Sequence, residues 1–229
     1  MPFETGTLVY ANLTGIVKET NELIETTLEE KAKEYNVFDP TRKYNPRLIA
    51  IGERWVLEPV DEKLKEMSVG EKILLEIPPE KAFGIWDPSK VKIIPLRRLG
   101  ERANQLKVGD EIEIDNKIGR VKLLASGRVH IDFNHKYSGK TILYEVEVIK
   151  ELKEDSEKIE ALFLRRIPIE KEKLKFSIQE NTITFELPVE LYLEEGLQIV
   201  KRALSNDIFK YLPNISKVIF LEAYEKKTS

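Results

Sequence analysis

The residue types that usually carry covalent or metal chemistry are scarce in this chain. It has no cysteine and only two histidines, His130 and His135. This excludes disulfides, thiolate metal sites, cysteine nucleophiles and a three-histidine metal site. No G-x-G-x-x-G or P-loop pattern occurs, so a nucleotide site has no support. The sequence therefore predicts neither a metal nor a cofactor.

Other side chains suggest chemistry only in context. Taken alone, Phe83 and Tyr144 are typical of a plain core on alternating strand positions, Glu25 of a solvated strand end, and His135 of a turn. One apolar stripe has helical spacing and indicates a core or interface face rather than a cofactor site. Its members are Leu193, Leu197, Val200, Leu204 and Ile208.

Composition narrows the class of protein. The chain has 229 residues, of which 41% are apolar and 34% charged, against an average near 25% charged. Lys and Arg number 37 and Asp and Glu 40, a net charge of -3. Balanced high charge without cysteine is typical of a thermophile. No apolar run approaches the ~20 residues of a membrane span, and the first residues do not resemble a signal peptide, so we expect a cytoplasmic protein.

Charge is distributed unevenly and suggests separate modules. Residues 1–87 hold 11 basic against 17 acidic residues, whereas residues 88–132 hold 10 against 6. Residues 133–152 and 153–229 are close to neutral. The basic block could favour acidic partners, or it could be ordinary surface.

The elements that would position these residues are mostly short strands. Alternation and turn residues predict strands at 7–17, 22–25, 48–51, 71–77, 91–95, 111–115, 119–124, 127–133, 141–149, 161–167, 175–179, 182–187 and 217–224. Helices are predicted at 28–35, 60–67 and 190–212. This pattern predicts that residues 91–132 form a small all-β unit. It predicts that the segment beyond residue 160 forms a ββ(β)αβ unit.

Four segments, in order, resemble the FKBP-type peptidyl-prolyl cis-trans isomerases. Asn12 to Gly15 with Glu22 to Thr27 resembles the first hairpin, and Gly52 to Leu57 with Met67 to Glu71 resembles the loop at the pocket floor. Ile77 to Gly84 resembles the following strand and turn. The pattern then breaks off and returns at Asp132 to Thr141, closing with Leu143 to Val148. This layout is similar to the SlyD-like branch, whose isomerase domain contains an inserted "insert-in-flap" domain, and to long archaeal members with a C-terminal extension.

The resemblance implies an α+β fold with three domains. Residues 1–87 and 133–152 would form an FKBP-like antiparallel sheet with a short helix. Residues 88–132 would form a small all-β insert-in-flap chaperone domain, and residues 153–229 a C-terminal α+β domain that could form a homodimer. Partners would be unfolded or proline-containing polypeptides, with no role for nucleic acid or a membrane.

The resemblance also implies the site residues. The isomerase pocket would be lined by Leu13, Ile24, Glu25, Val56, Leu57, Val60, Phe83 and Tyr144, with His135 and Tyr137 on the flap. Trp55 would partly refill the pocket. In the insert, Ile93, Ile94, Leu96 and Leu99 would bind unfolded chains, unless they form the insert's own core.

Departures from the family pattern predict weakened catalysis. The family usually has Tyr at the position of Leu13, Phe at that of Ile24, Asp at that of Glu25 and Trp or Leu at that of Val60. Phe83 replaces a Tyr that donates a hydrogen bond. Three functions stay open: a prolyl isomerase with a chaperone insert, a non-catalytic holdase, and a dimeric scaffold.

Overall fold

A computed structural model describes residues 2–224, so the last five residues of the predicted C-terminal domain lie outside it. The fold is α+β, as predicted. The strands are β1 Leu8–Val17, β2 Glu22–Thr26, β3 Arg47–Ala50, β4 Lys72–Ile77, β5 Val91–Pro95, β6 Glu111–Ile114, β7 Lys117–Ala125, β8 Arg128–Asp132, β9 Ile142–Glu151, β10 Lys175–Gln179, β11 Thr182–Glu186 and β12 Lys217–Leu221. The helices are α1 Glu29–Glu34, α2 Glu58–Glu66, α3 Asp155–Arg166 and α4 Leu197–Tyr211.

Three sheets organise these strands. The first has five strands in the order β2-β1-β9-β4, with β3 also paired to β1. The second is β5-β8-β7-β6 and the third β10-β11-β12. In β9, Ile142, Tyr144, Val146 and Val148 are all buried, so the predicted alternation is confirmed.

The chain divides into two compact units. The first unit comprises Met1–Thr14, Thr26–Ile73 and Glu145–Ser229, and the second comprises Gly15–Glu25 and Leu74–Tyr144. The segment predicted as an insert falls in the second unit, and the predicted C-terminal domain falls in the first.

The core of the first unit joins the C-terminal segment to the start of β1. Phe163 of α3 packs against Phe185 of β11, with ring centroids 4.9 Å apart. The same core includes Leu8, Leu48 and Ala50 of β1 and β3. The C-terminal segment therefore shares its buried surface with the N-terminal strands.

Two predictions for the C-terminal segment are wrong. Residues 161–167 belong to α3 and its C-terminal end rather than to a strand. Residues 190–196 precede α4, because Gly196 adopts a left-handed φ of 79° at the N-terminal boundary of this helix. Leu193 is consequently 96% exposed and does not continue the stripe. The observed order is αββαβ, with β11 and β12 parallel and connected across α4.

The all-β character of residues 91–132 is confirmed. β5, β6, β7 and β8 pair antiparallel, with a β-bulge between Val121 and Leu123. A 3-10 segment, Leu96–Asn104, is kinked at Gly100. The core of this sheet is Ile112, Val121, Val129 and Ile131.

Within residues 2–224, none of the helices has the length and apolarity needed to span a bilayer.

Candidate functional site

A loop after β3 in the first unit carries three of the predicted site residues, Trp55, Val56 and Leu57. Its backbone turns at Gly52 and Arg54, which adopt φ of 79° and 56°. The buried carboxylate of Asp61, in α2, accepts hydrogen bonds from the N–H groups of Gly52 and Arg54, each at 2.8 Å. These charge-assisted bonds hold the loop against α2. Asp61 thus positions the loop that the resemblance assigns to the pocket floor.

The apolar residues of the first unit differ in accessibility. Val56 and Leu57 are partly exposed. Leu13 is only 1% exposed and Val60 0%. A substrate could reach Val56 and Leu57 directly, whereas Leu13 and Val60 act as supporting core.

Trp55 makes its contacts with helices α3 and α4. The Arg165 guanidinium lies 3.6 Å from the centroid of the indole, and the Tyr211 ring packs edge-on against it at 5.8 Å. Burial, together with the acidic groups of Glu53 and Asp207, raises the pKa of Tyr211 to about 12. Trp55 is therefore engaged by the C-terminal segment on one face and one edge.

The second unit contains a tyrosine–carboxylate pair. The Tyr144 hydroxyl donates a short hydrogen bond to Glu25 Oε1. The Tyr144 ring lies on Gly15, where an added Cβ would come within 3.0 Å of Cε2 of the ring. A side chain at this position would push the ring away by a few tenths of an ångström. Strand β1 therefore provides the space in which Tyr144 reaches Glu25.

Three aromatic rings gather in the same unit. Phe83 and His135 stack with centroids 4.6 Å apart and planes at 10°. Tyr137 is tilted against both, at 5.4 Å from Phe83 and 5.8 Å from His135. Lys136 forms an ion pair with Glu22 of β2, and Ser138 Oγ donates to the Phe83 carbonyl at 3.2 Å. Residues 135–138 are thus attached to Phe83 and to β2. Ile24, the remaining predicted pocket residue, is half-buried on β2.

The four insert residues predicted to bind unfolded chains divide between core and surface. Ile94, Leu96 and Leu99 are partly buried and pack against the core of the insert. Ile93 is 53% exposed. It lies beside His130, which in turn faces Leu123 on β7. These residues, with Trp86, Pro88 and Val91, line a groove of about 540 Å³ that we call the apolar groove.

Several residues of interest have no motif signal. Asp61 lies outside the motifs and becomes recognisable only through its bonds to the floor loop. Gly15 belongs to the first-hairpin motif, but its role is visible only in its contact with Tyr144. Trp86 and Leu123 lie outside the predicted patch. Strand alternation could have indicated that Ile93 and His130 share the outer face of the insert sheet.

Among the described residues 2–224, no cluster of three or more His, Asp or Glu side chains has a geometry that could hold a metal ion.

Comparisons with known proteins converge on one family. Residues 92–137 match the protein-family domain described as "FKBP26, IF domain", and residues 155–225 match "FKBP26_C-terminal". The "Short-type peptidyl-prolyl cis-trans isomerase" of Methanocaldococcus jannaschii is 28% identical over 139 residues, which are 61% of this chain and 88% of that protein. The "Probable FKBP-type 16 kDa peptidyl-prolyl cis-trans isomerase" of Pseudomonas fluorescens is 32% identical over 114 residues, 48% of this chain and 76% of that protein.

A SlyD protein of Pasteurella multocida, described as an "FKBP-type peptidyl-prolyl cis-trans isomerase", is 28% identical over 94 residues. These are 39% of this chain and 47% of that protein. The two family-domain matches fall within the segments that the sequence analysis assigns to the insert and to the C-terminal domain. The chain belongs to the FKBP-type peptidyl-prolyl cis-trans isomerase family.

Proposed function

We propose that this protein catalyses cis-trans isomerisation of X-Pro bonds in polypeptides. The observation that supports this proposal most directly is the half-buried Phe83 ring, which stacks on His135 and is flanked by Tyr137. Amide resonance sets a barrier of ~18–20 kcal/mol to rotation. Rotation requires no proton transfer and no covalent intermediate, so an apolar surface that favours the twisted, less dipolar amide is sufficient.

The roles of the residues follow from this chemistry. Val56 and Leu57 offer partly exposed apolar side chains, and a backbone N–H of their loop would hold the substrate carbonyl. Phe83, flanked by His135 and Tyr137, offers an aromatic surface. We propose residues 1–87 and 133–152 as the isomerase domain, with residues 88–132 inserted and residues 153–229 appended.

We further propose that catalysis is slower than in members with a full aromatic pocket. Phe83 has no hydroxyl to donate, and Leu13, Ile24 and Val60 are aliphatic where the family usually has larger or aromatic side chains. Each lost aromatic contact would cost on the order of 1 kcal/mol of transition-state binding.

The test is the isomerisation of a short Leu-Pro peptide with and without the full-length protein. We expect acceleration that Phe83→Ala reduces about tenfold and that Phe38→Ala leaves unchanged. Phe38 is a matched control, since it is also an aromatic residue in a stacked pair, with Tyr44. If the folded protein gives no acceleration, the isomerase proposal fails and the holdase alternative takes its place.

A second proposed activity, binding of unfolded chains, is supported by the apolar groove. Trp86, Ile93 and Leu123 are 44%, 53% and 46% exposed. Adjacent exposed apolar side chains of this kind mark a binding surface rather than ordinary exposure. Tethering such a surface to the isomerase site would raise the local concentration of X-Pro bonds.

Suppression of aggregation of a chemically denatured protein tests this second activity. We expect Ile93→Ser with Leu123→Ser to lose most of the suppression. The matched control is Leu74→Ser with Val108→Ser, because these residues are 65% and 62% exposed and lie outside the apolar groove. Equal suppression by the two double variants would remove the role assigned to the groove.

We also propose that the C-terminal segment pairs with a second copy of the chain. Val189, Leu221 and Tyr224 are 70%, 48% and 79% exposed and line one groove with Leu187 and Tyr192. Burial of this apolar surface would favour association. Sedimentation should show a dimer that Leu221→Glu converts to a monomer, whereas a monomeric wild-type protein would contradict the proposal.

A further inference from the structure

A second cleft in the second unit adjoins the apolar groove and shares Trp86, Lys122 and Asp132 with it. It has a volume of about 500 Å³ and lies between strand β7 and residues 134–140. This volume falls within the range of ordinary ligand pockets. We call it the basic cleft, because its charged lining is dominated by cations.

Four cations line the basic cleft from two sides. Arg120 and Lys122 extend from β7, and Lys136 and Lys140 come from the segment that returns to β9. The acidic lining residues are Glu111 and Asp132. Four positive charges against two negative charges leave a positive surface, with the exposed His135 at its edge.

The four cations differ in how closely they are paired with acidic side chains. Arg120 pairs with Glu111 at 2.8 Å, and Lys136 pairs with Glu22. Lys122 is 3.9 Å from Asp132. Within residues 2–224 Lys140 is in no ion pair, and its charge acts on Glu19 only as a minor contribution to the lowered pKa of that carboxyl. Lys122 and Lys140 are therefore the cations best placed to accept a new anionic partner.

The floor of the cleft is built by the carboxylate of Asp132. It accepts hydrogen bonds from Trp86 Nε1 at 3.0 Å and from the backbone and side-chain N–H groups of Asn134 at 2.9 and 2.8 Å. The Asn134 side chain also donates to the Asp87 carbonyl and accepts from the Asp87 N–H. Because these N–H groups satisfy the hydrogen-bonding capacity of the carboxylate, Lys122 at 3.9 Å contributes its charge but no hydrogen bond.

We propose that the basic cleft binds acidic segments of polypeptide substrates, with their Glu and Asp carboxylates paired to Lys122 and Lys140. The inference rests on the proposed function, because the same chains would also contact the apolar groove or the isomerase site. Trp86 lines both the apolar groove and the basic cleft. The protein would therefore prefer chains in which acidic residues lie near apolar ones.

A nucleic acid fits this surface less well. Its phosphates form a continuous line of negative charge, whereas Glu111 and Asp132 interrupt the cations of the cleft and would repel such a line. Discrete carboxylates on flexible side chains can reach the cations separately. The apolar residues beside Trp86 also suit polypeptide side chains.

Binding can be measured without the isomerase activity. The probe is a proline-free peptide that alternates Glu with Leu, compared with the same peptide carrying Gln for Glu. The chain has two tryptophans, so a ¹⁵N spectrum contains two indole N–H signals, which Trp55→Phe assigns. We expect the Glu peptide to shift the Trp86 signal and to bind roughly tenfold more tightly than the Gln peptide, with affinity falling as salt increases.

Charge variants locate the site. Lys122→Gln with Lys140→Gln should weaken binding of the Glu peptide roughly three- to tenfold, as expected for two exposed charge pairs. The matched control, Lys107→Gln with Lys117→Gln, removes two exposed cations of the same unit that lie outside the cleft and should change affinity less than about twofold.

Three results would overturn the assignment. They are equal affinity for the Glu and Gln peptides, equal losses in the two double variants, and tighter binding of a short single-stranded oligonucleotide than of the Glu peptide. If the Leu-Pro peptide assay fails while Glu-dependent binding persists, the isomerase proposal alone is lost.

Discussion

The phenol of Tyr144 donates to the carboxylate of Glu25, and the ring that carries it lies on Gly15. At position 13, where the family usually has a tyrosine, this chain has the buried Leu13. This chain thus also pairs a tyrosine hydroxyl with a carboxylate, but the tyrosine is Tyr144 of β9 rather than a residue at position 13. The pair links β2 to β9, the two strands that flank β1 in the sheet.

Removal of the Tyr144 hydroxyl tests this pair. Tyr144→Phe keeps the ring but loses the hydrogen bond, so kcat/KM should fall about three- to tenfold, equivalent to ~0.7–1.4 kcal/mol. Glu25→Met, which removes the acceptor of this bond, should have an effect of similar size. Because both changes remove one interaction, the double variant should lose less than the product of the two single losses. Strictly multiplicative losses would show that the two side chains act independently.

A substitution at Phe83 should increase kcat/KM. Phe83→Tyr keeps the stack on His135 and adds a donor of the kind that the family usually has at this position. We expect a rise of a few-fold in kcat/KM, as a hydrogen bond worth ~1 kcal/mol implies. Phe38→Tyr adds a hydroxyl elsewhere and should change nothing. If Phe83→Tyr also has no effect, a missing hydroxyl at this position does not limit the rate.

Asp61 should position the floor loop through two acceptor oxygens. Asp61→Asn leaves one acceptor for the two N–H groups of Gly52 and Arg54, so one of them loses its partner. We expect unfolding free energy to fall by ~1–3 kcal/mol and kcat/KM to fall with it. Glu62→Gln, an exposed neighbour, is the matched control. Hydrogen exchange at residues 52–57 should increase in Asp61→Asn only, and unchanged exchange would refute the positioning role.

Acid should weaken the second unit through Asp132. Burial favours the protonated form, but hydrogen bonds from Trp86 and Asn134 outweigh it and hold the pKa of Asp132 below its usual 3.8. The native state therefore binds fewer protons than the unfolded state. The stabilisation is complete above about pH 3.8 and is lost as pH falls through the native pKa.

Asp132→Asn should thus be less stable than the wild type at neutral pH, with a difference that shrinks as the pH falls below about 3.8. The measurement is denaturant unfolding monitored by hydrogen exchange in β5 and β8. Asp115→Asn, in an exposed turn, should follow the wild-type pH dependence. A constant difference between Asp132→Asn and the wild type would rule out linkage to this carboxylate.

Much of the fold was predictable from strand alternation. The pattern of β9 and the four strands of the insert correspond closely to the structure, because each has one face on a core. Residues 161–167 were misread, since a short apolar run does not distinguish a strand from a buried helix. The acidic Asp155 and Glu157 at one end and the basic Arg165 and Arg166 at the other were the helix signal. Gly196 similarly marked the true start of α4.

For the candidate site, the sequence predicts which residues take part but not how they are arranged in space. The family pattern identified Glu25 and Tyr144 separately, but their bond depends on the space at Gly15, which no spacing rule provides. In the sequence, Lys122 is only a charge in a basic block, and Asp132 only the first residue of the segment where the family pattern returns. Their arrangement around Trp86 depends on the pairing of β7 with β8 and on the β-bulge between Val121 and Leu123.

The ladder that pairs Val91 with Asp132 brings the entry and exit of the insert to adjacent positions, and the Phe133 N–H donates to the Lys90 carbonyl at 3.1 Å. The entropic cost of closing a loop increases with its length. Once the insert has folded, the long segment that connects β4 to β9 behaves as a much shorter loop. Folding of the insert therefore shortens the effective separation of β4 and β9 along the chain, and so lowers the entropic cost of pairing these two strands in the five-stranded sheet.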